Sequence, residues 1–104
     1  MPEMTFTVRW PDGAVHHCYS PSLVMHEHLD IGARYSVVDF RARATAALEE
    51  AAERVRARYG FACTSAAATA EDITRTATRF DDHSIVEVID MQPPLPAPTA
   101  LETS

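Results

Sequence analysis

Hydrophobic and polar positions alternate strictly at the start of the chain: Met4, Phe6, Val8 and Trp10 fall on one face, Thr5, Thr7 and Arg9 on the other. A period of two built from β-branched and aromatic residues predicts a half-buried strand. Pro11-Asp12-Gly13 follows. Proline presets φ for the first corner of a type I turn and glycine takes the left-handed position behind it, which makes a three-residue hairpin loop with a bulge at Gly13. The returning strand is expected over 14–19. With Ala14 opposite Trp10, Ala14, His16 and Cys18 share the core face, while Val15, His17 and Tyr19 face outward. Ser20-Pro21-Ser22 closes the strand. A serine cap followed by proline is a helix-start signal and predicts a short helical turn over 22–28, with Asp30-Ile31-Gly32 as loop.

From Ser36 the period changes. Ser36 and Asp39 have the spacing of a capping box, in which each side chain satisfies an amide the helix leaves orphaned. Phe40, Ala44, Ala47, Leu48, Ala51, Val55 and Tyr59 then recur at helical spacing, one apolar stripe on a helix of about six turns. Asp39 to Arg43 and Glu50 to Arg54 are i,i+4 pairs in the favourable acid-first order. Arg54, Arg56 and Arg58 complement the negative end of the helix, and Gly60 supplies its left-handed stop. Cys63, Ala66, Ala70, Ile73, Ala77 and Phe80 form a second, narrower seam suited to packing against another helix. Its alanines, with those of the first stripe, let the two axes approach closely.

Asp81-Asp82-His83 breaks that seam, and Ile85-Val86-Glu87-Val88-Ile89 predicts a third strand that pairs with the hairpin. The expected fold is therefore α+β: a small antiparallel three-stranded sheet packed on one face against a two-helix hairpin, in the order ββααβ. A single domain is expected over 1–91. Residues 92–104, with Pro93, Pro94, Pro96 and Pro98, read as an extended, flexible tail. The helices are long for so small a sheet, which leaves surface that a second copy or another protein would cover.

Composition narrows the function classes. At 104 residues the chain is one domain's worth, with 46% hydrophobic and 23% charged residues, an ordinary globular balance. A net charge of −6 makes a phosphate backbone an unsuitable partner, so no nucleic acid is expected. All nine cations are arginine. No apolar run approaches the ~20 residues of a membrane span, and Met1-Pro2-Glu3 lacks the basic and apolar regions of a signal peptide. Two cysteines make no disulfide framework, and reduced thiols in a cytoplasm fit best.

Candidate chemistry gathers in two places. His16, His17 and Cys18 are consecutive, with His26 and His28 close behind, and imidazole and thiolate suit zinc. The spacing argues otherwise. On a strand His17 opposes His16 and Cys18, and on a helix His26 and His28 stand about 200° apart. No metal and no cofactor is expected. Tyr19, Ser20 and Ser22 gather three hydroxyls where a strand runs into a helix start, a place that could receive an anion, although capping explains the serines equally well. Cys63 lies near the start of the second helix, where amide donors lower a thiol pKa. It is also the first member of the apolar seam, where cysteine packs as a small hydrophobe. No set of paired carboxylates, Gly-rich phosphate loop or Ser-His-Asp ordering is present, so no catalytic residue is assigned and enzymatic function is not expected. Tyr19, Ser20, Ser22 and Cys63 are the ligand-binding candidates.

Four motif blocks carry a family resemblance: Met1-Pro2-Glu3-Met4, Val8-Arg9-Trp10-Pro11-Asp12-Gly13, Cys18-Tyr19-Ser20-Pro21-Ser22, and Arg54-Val55-Arg56-Ala57-Arg58-Tyr59-Gly60-Phe61-Ala62-Cys63. Over roughly 1–91 the chain resembles the small bacterial nitrogen-starvation-response proteins encoded beside a nitrilase. Those gene clusters also carry a radical-SAM protein, an acetyltransferase and a flavoprotein. The resemblance implies expression under nitrogen limitation and a place in nitrile or cyanide nitrogen assimilation. It supplies no catalytic residue. The expectation is a non-catalytic accessory protein, a homodimer or docked on a cluster-encoded enzyme. The alternative is a small-ligand or metal-binding module that uses residues 18–22 and Cys63.

Overall fold

The hairpin forms as its alternation dictates. In the computed structural model, which describes residues 3–60 and 64–92, strand β1 (Met4–Arg9) pairs antiparallel with β2 (Val15–Ser20). Phe6 stands opposite Cys18 and Val8 opposite His16. The Trp10 amide donates to the Ala14 carbonyl at 2.9 Å, so the expected register holds. The Gly13 amide donates to the Trp10 carbonyl at 2.8 Å, and Gly13 takes φ +90°, a conformation that disfavours any side chain. Asp12 adds an Asx bond from the Ala14 amide to Oδ1 at 2.9 Å.

A 3₁₀ turn over Leu23–Glu27 follows, capped by Ser22. Helix α1 (Val37–Tyr59) and helix α2 (Thr64–Ala77) make the second layer, and β4 (Ile85–Gln92) returns to pair with β1. Gly60 ends α1 at φ +79°, its amide donating to the Arg56 carbonyl at 2.8 Å. Both expected ion pairs on α1 form, Asp39–Arg43 at 3.0 Å and Glu50–Arg54 at 2.9 Å.

The sheet has four strands rather than the expected three. Strand β3 (Arg34–Ser36) lies on the far side of β4, giving the antiparallel order β2-β1-β4-β3. It is only three residues long and carries no readable period. Its pairing partner creates it: Tyr35 stands opposite Val86, the Gly32 amide donates to the Val88 carbonyl at 2.7 Å, and the Val88 amide returns to Ala33 at 3.0 Å. The element order is thus ββ-3₁₀-βααβ.

Strand β4 also runs beyond Ile89, because its pairing with β1 shifts register between Thr7 and Val8. Thr7 stands opposite Asp90 and Val8 opposite Val88, so Ile89 is the extra residue of a β-bulge. A strict period of two from Val86 and Val88 would turn Asp90 inward. The bulge rephases the strand, so Met91 is buried and Asp90 stays half-exposed, accepting from Gln92 Nε2 at 3.0 and 3.1 Å.

The capping box forms only by half. Ser36 Oγ accepts from the Asp39 amide at 3.2 Å, but the Asp39 carboxylate pairs with Arg43 instead of reaching back. The other first-turn amides of α1 find the turn before β4: Val37 donates to Ser84 at 2.8 Å and Val38 to Asp82 at 3.2 Å. The start of α1 is therefore fixed by a segment almost fifty residues later in the chain.

One core lies between sheet and helices. Met4, Phe6, Val8, Trp10, Cys18, Val86, Val88 and Met91 meet the α1 stripe from Val37 to Leu48 and the α2 residues Ala66, Ile73 and Ala77. Tyr59, the last member of the expected stripe, is 49% exposed because the buried run ends at Val55. Trp10 joins all the layers. Its ring meets Phe40 edge-on at 5.5 Å and stacks on Phe80 at 5.7 Å, while Nε1 donates to His16 Nδ1 at 3.2 Å. The proline-rich segment over 93–104 lies outside the described residues.

Candidate functional site

Strand alternation separates the candidate hydroxyls. Ser20 is fully buried on the core face, opposite Met4, whereas Tyr19 is on the outer face opposite Thr5. Ser20 Oγ donates to the Ser22 carbonyl at 2.8 Å and accepts from the Ser22 amide at 3.3 Å. Ser22, also buried, caps the 3₁₀ turn by accepting from the Val24 amide at 3.3 Å. The two serines hold the strand-to-turn corner through one another. Tyr19 instead borders a shallow hollow of about 340 Å³ with Glu3, Met4, Thr5 and Gln92. Cys63 lies outside the described residues.

Cys18 is buried among core side chains. Its sulfur faces the His16 carbonyl at 4.0 Å. Burial, with the nearby Asp72 charge adding to it, pushes the thiol up to about 12. Cys18 is therefore held as an unreactive thiol at neutral pH. In a Cys63→Ala background, iodoacetamide at pH 8 is expected to leave native protein unlabelled and to label it on addition of urea. Rapid labelling of the native protein would contradict this placement. The folded pKa of Cys18 stands above its unfolded value near 9, so the folded state holds this proton more tightly. The contribution is complete below pH 9 and is lost as pH climbs from there toward 12.

The histidines are dispersed. His16 is half-buried under Trp10, and His17 Nδ1 shares a hydrogen bond with Thr7 Oγ1 at 3.0 Å on the outer sheet face. His28 Nε2 donates to Glu50 Oε1 at 3.1 Å, and Arg54 links Glu50 to Glu27 at 3.6 Å, so this ionic set clamps the 3₁₀ turn onto α1. The bond from His28, aided by Arg54, holds the Glu50 carboxyl below its ordinary value. Among the described residues no three His, Cys, Asp or Glu side chains gather as a metal-holding group.

A larger feature lies between the two helices. An open groove of about 720 Å³ runs between the helices on the side away from the sheet. Arg41, Thr45 and Glu49 of α1 line it, with Ala67, Ala70 and Thr74 of α2. A signal was present in the sequence. Arg41, like Arg58, has no carboxylate three or four residues away and Glu49 has no cation, unlike the charges of the Asp39–Arg43, Glu50–Arg54 and Glu53–Arg56 pairs.

Fold and site together define a small two-layer α+β domain whose Ser20 and Ser22 hydroxyls serve its own backbone. Among the described residues no helix is long and apolar enough to cross a membrane. The chain belongs to the family of the nitrogen starvation-induced protein NitG, whose family model matches residues 5–91. No curated protein and no solved structure gives a significant match.

Proposed function

We propose that this chain is a non-catalytic accessory protein of the nitrogen-starvation response, linked to nitrile or cyanide nitrogen assimilation. It acts in the cytoplasm by association, as a homodimer or docked on an enzyme encoded in the same cluster. The observation that carries this reading is where the chemistry-bearing groups sit. Cys18 is a buried thiol with a raised pKa, and the Ser20 and Ser22 hydroxyls are bonded to backbone. The solvent-facing side of the helical layer, by contrast, offers a long open groove. The family's induction by nitrogen starvation supplies the context.

A native mass spectrum of untagged protein, alone and mixed with the nitrilase of the same cluster, tests the reading. A dimer or a mixed complex at micromolar concentration is expected. A strict monomer that binds none of the cluster enzymes would overturn it. The hollow beside Tyr19 favours a second reading, a small-ligand module. Bound mass beyond the polypeptide, lost in Tyr19→Ala, would support that reading instead.

A further inference from the structure

Helix α1 carries a second stripe beside its core stripe, of which only Ala52, at one end, also packs against the core. Taking Thr45 as its centre, Val38 and Ala52 lie seven residues to either side, within about 20° of it around the helix, and Arg41 and Glu49 flank it at about 40°. Val38 is 36% exposed and Ala52 is half-buried. Arg41 is half-buried, and neither it nor Glu49 has an ion-pair partner among the described residues. Glu71 and Arg75 of α2 also line the groove, and Arg75 is engaged within α2 by Asp72 at 2.9 Å and by Glu71 at 4.0 Å. A guanidinium on a half-buried side chain with no counter-charge of its own is open to a carboxylate supplied from outside, which would give a charge-assisted pair.

We propose that this face is a two-fold interface between two copies of the chain, with antiparallel α1 helices crossing at Thr45. The stripe is self-complementary under that symmetry. Positions equidistant from Thr45 meet, so Arg41 stands against the partner's Glu49, Glu49 against the partner's Arg41, and Val38 against the partner's Ala52. Each α1 lies in the other copy's groove, where the small side chains of Ala67 and Ala70 allow close approach. The assembly is layered sheet–helix–helix–sheet, with both sheets outermost. The charge arrangement favours a second copy over an unrelated helix because the cation and anion sit equally far from one central residue. This inference rests on the reading of the chain as a protein that acts by association, and it names the surface.

Charge reversal tests it by analytical ultracentrifugation. Arg41→Glu alone places four carboxylates at the contact, and Glu49→Arg alone places four guanidiniums there. Each homodimer is expected to weaken roughly ten- to hundred-fold. Mixing the two variants restores complementary pairs at both contacts, so a heterodimer of near wild-type affinity is expected. That recovery also shows that both variants are folded. A wild-type monomer would overturn the interface while leaving docking on an enzyme open. A dimer indifferent to both reversals would place the interface elsewhere. Two weakened variants that fail to recover on mixing, yet unfold cooperatively with the wild-type midpoint, would refute the Arg41–Glu49 contact.

Discussion

Trp10→Ala is expected to lower stability by about 3–5 kcal/mol, the range for removing a large aromatic side chain from a core. Three separate partners lose contact at once. Phe40 loses its edge-on neighbour, Phe80 loses the ring it stacks against, and His16 Nδ1 loses the indole donor. Those partners come from α1, from the turn after α2 and from β2, so nothing local can collapse into the space. Small domains have only about 5–15 kcal/mol in total, so the variant is left marginal. A midpoint drop of roughly 15 °C or more is expected by thermal unfolding. Phe80→Ala, which leaves the Phe40 and His16 contacts in place, should cost less. A Trp10→Ala loss below about 1 kcal/mol would show that the indole is not the joint between layers.

The parts of the fold legible in the sequence are those that local chemistry decides. Met4, Phe6, Val8 and Trp10 give the strand face, Pro11-Asp12-Gly13 the turn and its register, Ser36 and Gly60 the two ends of α1. The parts that stayed hidden depend on distant partners. Arg34-Tyr35-Ser36 has no period of its own and is a strand only because β4 presents a second edge to it. Met91 was obscured by the bulge at Ile89, which breaks the alternation that would have extended β4 to Gln92. Asp39 fits a capping box by spacing, but Arg43 on the same helix competes successfully for its carboxylate. Tyr59 continues the stripe by period but lies past the last buried position, Val55.

The candidate site was legible in a different sense. Tyr19, Ser20 and Ser22 are adjacent in sequence, which makes them resemble a cluster. The same alternation that identified β2 places Tyr19 on one face and Ser20 on the other. The groove was less accessible, because it forms only when α2 packs along α1. Its trace in the sequence is the missing i,i+4 partner of Arg41 and of Glu49, visible once the other acid–arginine pairs of α1 are assigned.

Ser20→Ala separates a structural hydroxyl from a functional one. The Ser20 hydroxyl serves both main-chain groups of Ser22, accepting from its amide and donating to its carbonyl, in a fully buried corner. Alanine removes the bonds and leaves both backbone groups without that partner, which costs about 1–3 kcal/mol for buried polar atoms. Ser22→Ala removes the cap of the 3₁₀ turn and should cost about 1 kcal/mol. The residues share one corner, so the double variant should lose less than the sum of the two. Urea unfolding of the three variants measures this directly. Full stability in Ser20→Ala, combined with a change in ligand or partner binding, would reverse the assignment and make the hydroxyl part of a site. Equal losses in stability with binding unchanged would keep it as the fastening between the hairpin and the turn that leads toward α1.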